Sequence, residues 1–175
     1  DQGVKIFFMH GNRDFLMGDV FANACGADML AEGTVITVGD QQVLLMHGDS
    51  LCTRDVAYMN MRQLFRNPEW QADLLSKSIE ERLAIGQQVR SESKAGQQMK
   101  ADDIMDVTPE EVDKVMDDAK VNLLIHGHTH RPATHDWEFN GQERQRIVLG
   151  DWGDDHGWLI RWDEGSSPVL EKFGF

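Results

Sequence analysis

Three histidines on alternate positions, His126, His128 and His130, follow the apolar pair Leu124-Ile125. Histidine is the commonest protein metal ligand. An apolar run of this kind reads as a buried strand, and Gly127 marks where the chain leaves it on a loop. Alternation along an extended backbone would put His128 and His130 on one side, close enough to serve one metal ion or two adjacent ones. Taken alone, the stretch also fits a solvated histidine-rich turn.

Two other apolar runs end in the same way. Val4 to Met9 leads into His10-Gly11-Asn12-Arg13-Asp14, and Val43 to Met46 leads into His47-Gly48-Asp49. Sheets present functional loops at one set of strand ends. Three such ends would gather Asn12, His47, His128 and His130. Nitrogen and oxygen donors in this mix suit Mn, Zn or Fe(II) better than a structural thiolate site.

Gly11-Asn12, His47-Gly48-Asp49 and Gly127-His128-Thr129-His130 resemble the motifs of the calcineurin-like metallophosphoesterases. The variant Gly11-Asn12-Arg13-Asp14, the run Met46 to Thr53 and the run Ile125 to Pro132 narrow the resemblance. They are similar to the pyrophosphohydrolases that act on UDP-2,3-diacylglucosamine in Gram-negative lipid A synthesis. The resemblance runs from about Val4 to the C-terminus.

That resemblance implies an α/β fold of layered β-sheets flanked by helices. A metallophosphoesterase core would span 1–53 and 101–175, with a helical cap inserted at 54–100. It implies two Mn²⁺ ions per complete site, with Asn12, His47 and His128 on one and His130 on the other. Substrate contacts would fall on Asn12, Arg13, Asp55, Ser93, Gln97, Lys100 and His128. Gln97 stands where the family has Asn. The Asp-x-His and Gly-Asp motifs that open the family are not found, so the N-terminal strands are expected to be missing and the metal site partial. The implied reaction is attack of metal-activated water on the α-phosphate of UDP-2,3-diacylglucosamine, giving UMP and 2,3-diacylglucosamine 1-phosphate. The implied setting is peripheral, at the cytoplasmic face of the inner membrane. Another nucleotide or phosphodiester hydrolase of the superfamily, or an inactive fragment acting as an interaction module, is the alternative.

Arg13 bears on the substrate. Many relatives carry His after the Gly-Asn pair, where it can protonate an alkoxide leaving group. Arginine cannot act as an acid near neutrality, but it can clamp phosphate oxygens with two parallel bonds. A phosphate monoester leaving group, with a second pKa of about 6, needs no such proton. Arg13 therefore favours a phosphoanhydride substrate. A surface ion pair with Asp14 is the plainer reading.

The 175 residues fit one domain and carry a net charge of −13, which argues against nucleic acid as a partner. No stretch of about 18 apolar residues is present to span a membrane. Two cysteines, Cys25 and Cys52, are too few for a disulfide framework and read as free, buried thiols in a reducing compartment. Charge is unevenly spread. Arg62 to Lys100 holds seven bases against five acids, a net +2 that leaves −15 for the rest. A partly amphipathic helical lid with bases for phosphate and apolar surface for acyl chains accounts for this, as does an ordinary solvated helical hairpin.

The elements that must position these residues are legible in outline. Val4–Met9 reads as a strand, with His10 as a hydrogen-bonded structural histidine. Asp14 to Cys25 reads as a helix capped by Asp14 and stopped by Gly26. Val35–Val38 and Gln42–Met46 form a hairpin about Gly39-Asp40. Arg54 to Lys100 is helical, with breaks at Asn67-Pro68 and near Gly86. Thr108-Pro109-Glu110-Glu111 reads as a capping box opening a helix to about Ala119. Val121–Ile125 delivers the histidine loop. Thr134–Phe139 and Glu143–Leu149 flank the hairpin signal Asn140-Gly141, and Trp158–Trp162 and Val169–Phe173 are further strands.

Overall fold

The computed structural model describes residues 3–97 and 104–175, with the side chains of 92–97 left out. Ser93 and Gln97 are therefore seen as helical backbone alone, and Lys100 lies outside the described residues. The chain divides into two compact units, 1–51 with 107–175, and 52–106.

The first unit is α/β. Its main sheet is built from β3 (Thr34–Val38), β4 (Gln41–Met46), β5 (Leu123–His126), β6 (Ala133–Phe139) and β7 (Gln142–Val148), in the order β3-β4-β5-β7-β6. β4, β5 and β7 run parallel at its centre, with Leu45 beside Ile125 and Ile125 beside Ile147. Parallel strands are covered on both faces, which is why β5 is a nearly unbroken apolar run. One face carries Val43, Leu123 and Ile147. Ile160, Trp162 and Leu170 pack on it from the antiparallel ribbon of β8 (His156–Arg161) and β9 (Val169–Gly174). On the other face lies the helix Pro109–Ala119, with Val112 and Met116 buried. The 96% buried Arg144 of β7 fastens it there, donating to Asp113 Oδ1 at 3.0 Å, to the Asp113 carbonyl at 3.1 Å and to Asp117. Trp137 Nε1 donates to the same Asp113 carboxylate at 3.0 Å.

Both hairpins fold where the turn residues call for them. Gly39 sits at φ +61 between β3 and β4, and Asn140 and Gly141 at φ +52 and +77 between β6 and β7. Both central residues of a type I′ turn need positive φ, which Asn and Gly tolerate best.

Several local expectations change. The helix foreseen from Asp14 is only α1 (Asp19–Ala24). Asp14 does not cap it, because its carboxylate instead accepts from Gly11 N at 2.6 Å and closes the loop after β1 (Ile6–Met9). The chain then adds β2 (Ala27–Leu30), which sequence periodicity misses and which pairs in parallel with β1. Thr108 precedes its helix and Pro109 opens it, but Thr108 makes no side-chain cap bond. Cys25 is exposed, while Cys52 is buried as foreseen. His10 is tied down as expected, its ring nitrogen bonded to the Met17 carbonyl.

The second unit is inserted at one place in the first. Thr108 N donates to the Leu51 carbonyl at 2.8 Å, so the chain leaves and returns side by side. The insert holds α2 (Val56–Phe65), α3 (Pro68–Ser76) and α4 (Ile79–Gln97); the helix Pro109–Ala119 is α5. Asn67 caps α3 through Glu69 N and Trp70 N, and Pro68 takes the first helical position. α4 runs straight through Gly86, where a break was expected. The break falls earlier, at Lys77-Ser78. There the Ser78 side chain accepts from Glu81 N at 3.2 Å, and the Glu81 carboxylate accepts from Ser78 N at 2.9 Å. This is a capping box, two first-turn donors satisfied reciprocally.

The Ser78 amide, and then the Ser78 hydroxyl, hold the Glu81 carboxyl below its ordinary value of 4.5. A carboxylate lowered in the folded state adds stability above the unfolded pKa and loses it as pH falls through the folded one. The Glu81→Gln variant is expected to melt below the parent chain at neutral pH. The gap closes as pH falls below 4.5. Thermal melts followed by circular dichroism across that range check both the sign and the window.

Candidate functional site

The candidate residues of the first unit stand where strands end. β4 stops at Met46 and releases His47-Gly48. Its parallel neighbour β5 stops at His126 and releases Gly127-His128. Gly127 N donates to the His47 carbonyl at 3.0 Å, so the two loops are joined by backbone at their first residues. The rings of His47 and His128 then meet edge to face, with centroids 5.0 Å apart. The loop after β1 closes on the same histidine. A Cβ on Gly11 would stand 3.1 Å from His47 Cε1 and 3.1 Å from Asp14 Oδ1. Asn12 and Arg13 follow at once, Asn12 partly buried and Arg13 exposed.

The histidine loop is not extended. His128 has φ +65 and His130 φ +55, and Thr129 N donates to the Gly127 carbonyl at 2.8 Å. Alternation therefore does not put His128 and His130 on a common side. Left-handed backbone is uncommon outside glycine and costs energy, and such residues cluster at functional sites. His130 is exposed, with Nδ1 3.8 Å from Asp151 Oδ2. Asp49 is fully buried in a short 3-10 turn after His47, and Asp154 is exposed.

Asp55, foreseen as a substrate contact, belongs to the second unit. It is 8% exposed and caps α2, its carboxylate accepting from Tyr58 N at 3.0 Å. An open cavity bordered by Gln41, Leu123, Arg144 and Gln145 lies at the opposite ends of β4 and β5 and contains none of these residues.

The donors are of the right kind for a borderline divalent cation, two imidazoles and the Asn12 amide. Their number is not. Among the described residues, no three His, Cys, Asp or Glu side chains come together in a group that could hold an ion. Among the described residues, His47 and His128 are the pair of imidazoles brought into contact.

Across its whole length the chain is 51% identical to the UDP-2,3-diacylglucosamine hydrolase of Chromohalobacter salexigens and spans 71% of that protein. The chain belongs to the UDP-2,3-diacylglucosamine hydrolase family. The Cellvibrio japonicus hydrolase is 54% identical over 158 residues, 90% of this chain and 65% of its own length. That of Pseudomonas fluorescens is 51% identical over 164 residues, 94% of this chain and 66% of its own. The chain thus spans about two thirds of the hydrolases it matches. No family model matches it. Among solved structures, vacuolar protein sorting 29 of Cryptosporidium parvum aligns with 84% of this chain and 59% of its own at 12% identity and a TM-score of 0.35.

Two residues of the site were given no role by sequence reasoning. His126 stands in the sequence as one of three alternating histidines, and Arg146 lies within the strand expected over Glu143–Leu149. Their signal is three-dimensional. His126 is 1% exposed, and Arg146 Nη1 reaches its Nε2 at 3.1 Å.

Gly48 is the tightest glycine of the candidate site. It has φ +101, and a Cβ there would lie 2.7 Å from His126 Nδ1. Gly48→Ala adds both the strain of an unfavourable φ, of order 1–3 kcal/mol, and a collision with a buried ring. A lowered urea midpoint with unchanged slope is the expected outcome, alongside shifted His47 and His128 imidazole signals.

Proposed function

We propose that this chain carries the histidine half of a hydrolase site for UDP-2,3-diacylglucosamine, in lipid A synthesis of a Gram-negative bacterium. The carrying observation is the 51% identity over all 175 residues to a UDP-2,3-diacylglucosamine hydrolase. The convergence of the loops after β1, β4 and β5 supports the same reading.

The bond cleaved is the pyrophosphate, with attack at the α-phosphate giving UMP and 2,3-diacylglucosamine 1-phosphate. A divalent cation, Mn²⁺ in our reading, supplies activated water and charge neutralisation when bound. Asn12, His47, His128 and His130 are the residues this chain would offer it. A full coordination shell needs further donors beside these. Deprotonated imidazoles are required of His47 and His128, so cation affinity falls in acid.

Arg13 is exposed beside Asn12 and free of any need to donate a proton. Its guanidinium holds phosphate oxygens and orients the anhydride. The leaving phosphate monoester departs without an acid. Asp55, Ser93, Gln97 and Lys100 belong to the 54–100 insertion that we assign as the cap. Its exposed Val56, Leu64, Leu75, Ile79 and Leu83 support an acyl-binding role, since apolar side chains in such number gain by meeting apolar chains. No helix among the described residues is long and apolar enough to cross a membrane. Contact with the inner membrane from its cytoplasmic face is therefore proposed as peripheral, through the lipid substrate.

Two measurements test this. UMP release from UDP-2,3-diacylglucosamine with added Mn²⁺ is expected to be absent or weak for this chain, which should hold at most one weakly bound ion by calorimetry. Two tightly bound ions with rapid UMP release would mean that its donor set is complete. In a full-length relative, the substitution matching Arg13→His is expected to shift preference from phosphoanhydrides toward alkyl phosphomonoesters. An unchanged ratio of kcat/KM on the two substrate types would refute the clamp.

A further inference from the structure

We infer that His126 is a positioning residue, a neutral imidazole wedge that sets the separation of His47 and His128. It rests on the reading of those two histidines as site residues. It concerns ring geometry, so it can fail while that reading stands.

The placement is unusual. His126 is the last residue of β5, level with Met46 of β4 on one side and Val148 of β7 on the other. It therefore stands at the base of the loop that carries His128 and beside the loop that carries His47. The residue is 99% buried. The backbone of Gly48 lies directly against it, so close that a side chain at 48 would overlap Nδ1, Cβ and Cγ. On its far edge Nε2 is 3.1 Å from Arg146 Nη1. His126 and Arg146 lie on one face of the sheet, since Arg146 is level with Leu124, two residues before His126.

The tautomer follows from the partner. A guanidinium is always protonated and can only donate. Nε2 must therefore accept, so the ring proton is on Nδ1, which faces the Gly127 carbonyl at 2.9 Å. Both ring nitrogens are then engaged by groups that fix its plane. One is the carbonyl of the residue that joins β5 to His128. The other is a side chain of β7. The ring also fills the space beneath Gly48, the residue that follows His47. A change in its shape or acceptor is transmitted to both histidines through one or two peptide bonds.

Only two features of the ring matter in this account, its bulk under Gly48 and its acceptor toward Arg146. Glutamine reproduces the acceptor, since its Oε1 reaches about as far as the Nε2 of histidine. Leucine has bulk and no acceptor, and it removes the part-buried bond from Arg146.

Assigned ¹H–¹⁵N imidazole spectra of the full 175-residue chain provide the test. In the parent chain, His126 is expected as the neutral form protonated at Nδ1. His126→Leu is expected to move the His47 and His128 signals, and His126→Gln to restore them near the parent positions. A merely structural role would lower the melting temperature in both variants without this split. Equal displacement by Leu and Gln, no displacement by either, or an Nε2 proton on His126 in the parent would overturn the inference. Should His126→Leu fail to fold, Arg146→Met removes the donor and keeps an unbranched apolar stem. It is expected to move the same two signals, and a folded Arg146→Met chain with both signals unmoved would also overturn it.

Discussion

Parallel pairing of β4, β5 and β7 is the constraint on which the rest depends. Parallel strands cannot be joined by tight turns, and both of their faces must be covered. Those two demands explain much of the architecture. The crossover from β4 to β5 carries the whole helical insertion and α5. The covering is divided between α5, fixed by Arg144 to Asp113 and Asp117, and the β8–β9 ribbon, fixed by Ile160, Trp162 and Leu170. Parallel strands also end together. His47 and His128 meet because Met46 and His126 are register partners, and the bond from Gly127 N to the His47 carbonyl prolongs that register beyond the sheet.

The site is consequently built of backbone before it is built of side chains. Glycines at 11 and 48 permit the closest approaches, and at Gly48 the approach and the positive φ exclude a side chain. His128 and His130 bear left-handed backbone that other parts of the chain reserve for glycine and turn residues. Strain of this kind persists only where surrounding contacts determine it. The register of β5, the His126 ring and the β4 loop are such contacts. The arrangement of the candidate site is thus fixed mostly by sheet geometry.

The two units divide the work by composition. The first carries the close-packed sheet and the histidines. The second, 52–106, is helical and keeps large apolar side chains exposed. Its helices are stopped and started by local devices, Asp55, Asn67-Pro68 and the Ser78–Glu81 box, more than by deep burial. Leu74 is its one helical residue in the buried core among those described. Local caps specify where these helices begin.

By itself the sequence determined the α/β class, both hairpins, the strands that carry the histidines and the family, because each has a local signature. Asn140-Gly141 needs positive φ, apolar runs end at Gly, and the histidine and Asn-Arg motifs are short and contiguous. Ser78-x-x-Glu81 is an equally local start signal, whereas Gly86 is a glycine that the helix tolerates. Other features had no local signature. β2 exists through pairing with β1. Asp14 left its helix to accept from Gly11, and His128 and His130 took left-handed backbone that period-two alternation cannot foresee. Tertiary structure alone decided that His47 and His128 touch, that Arg144 is buried, and that His126 lies between Gly48 and Arg146. Each of these joins residues tens of positions apart, and such contacts come from strand register and face, which only the assembled sheet fixes.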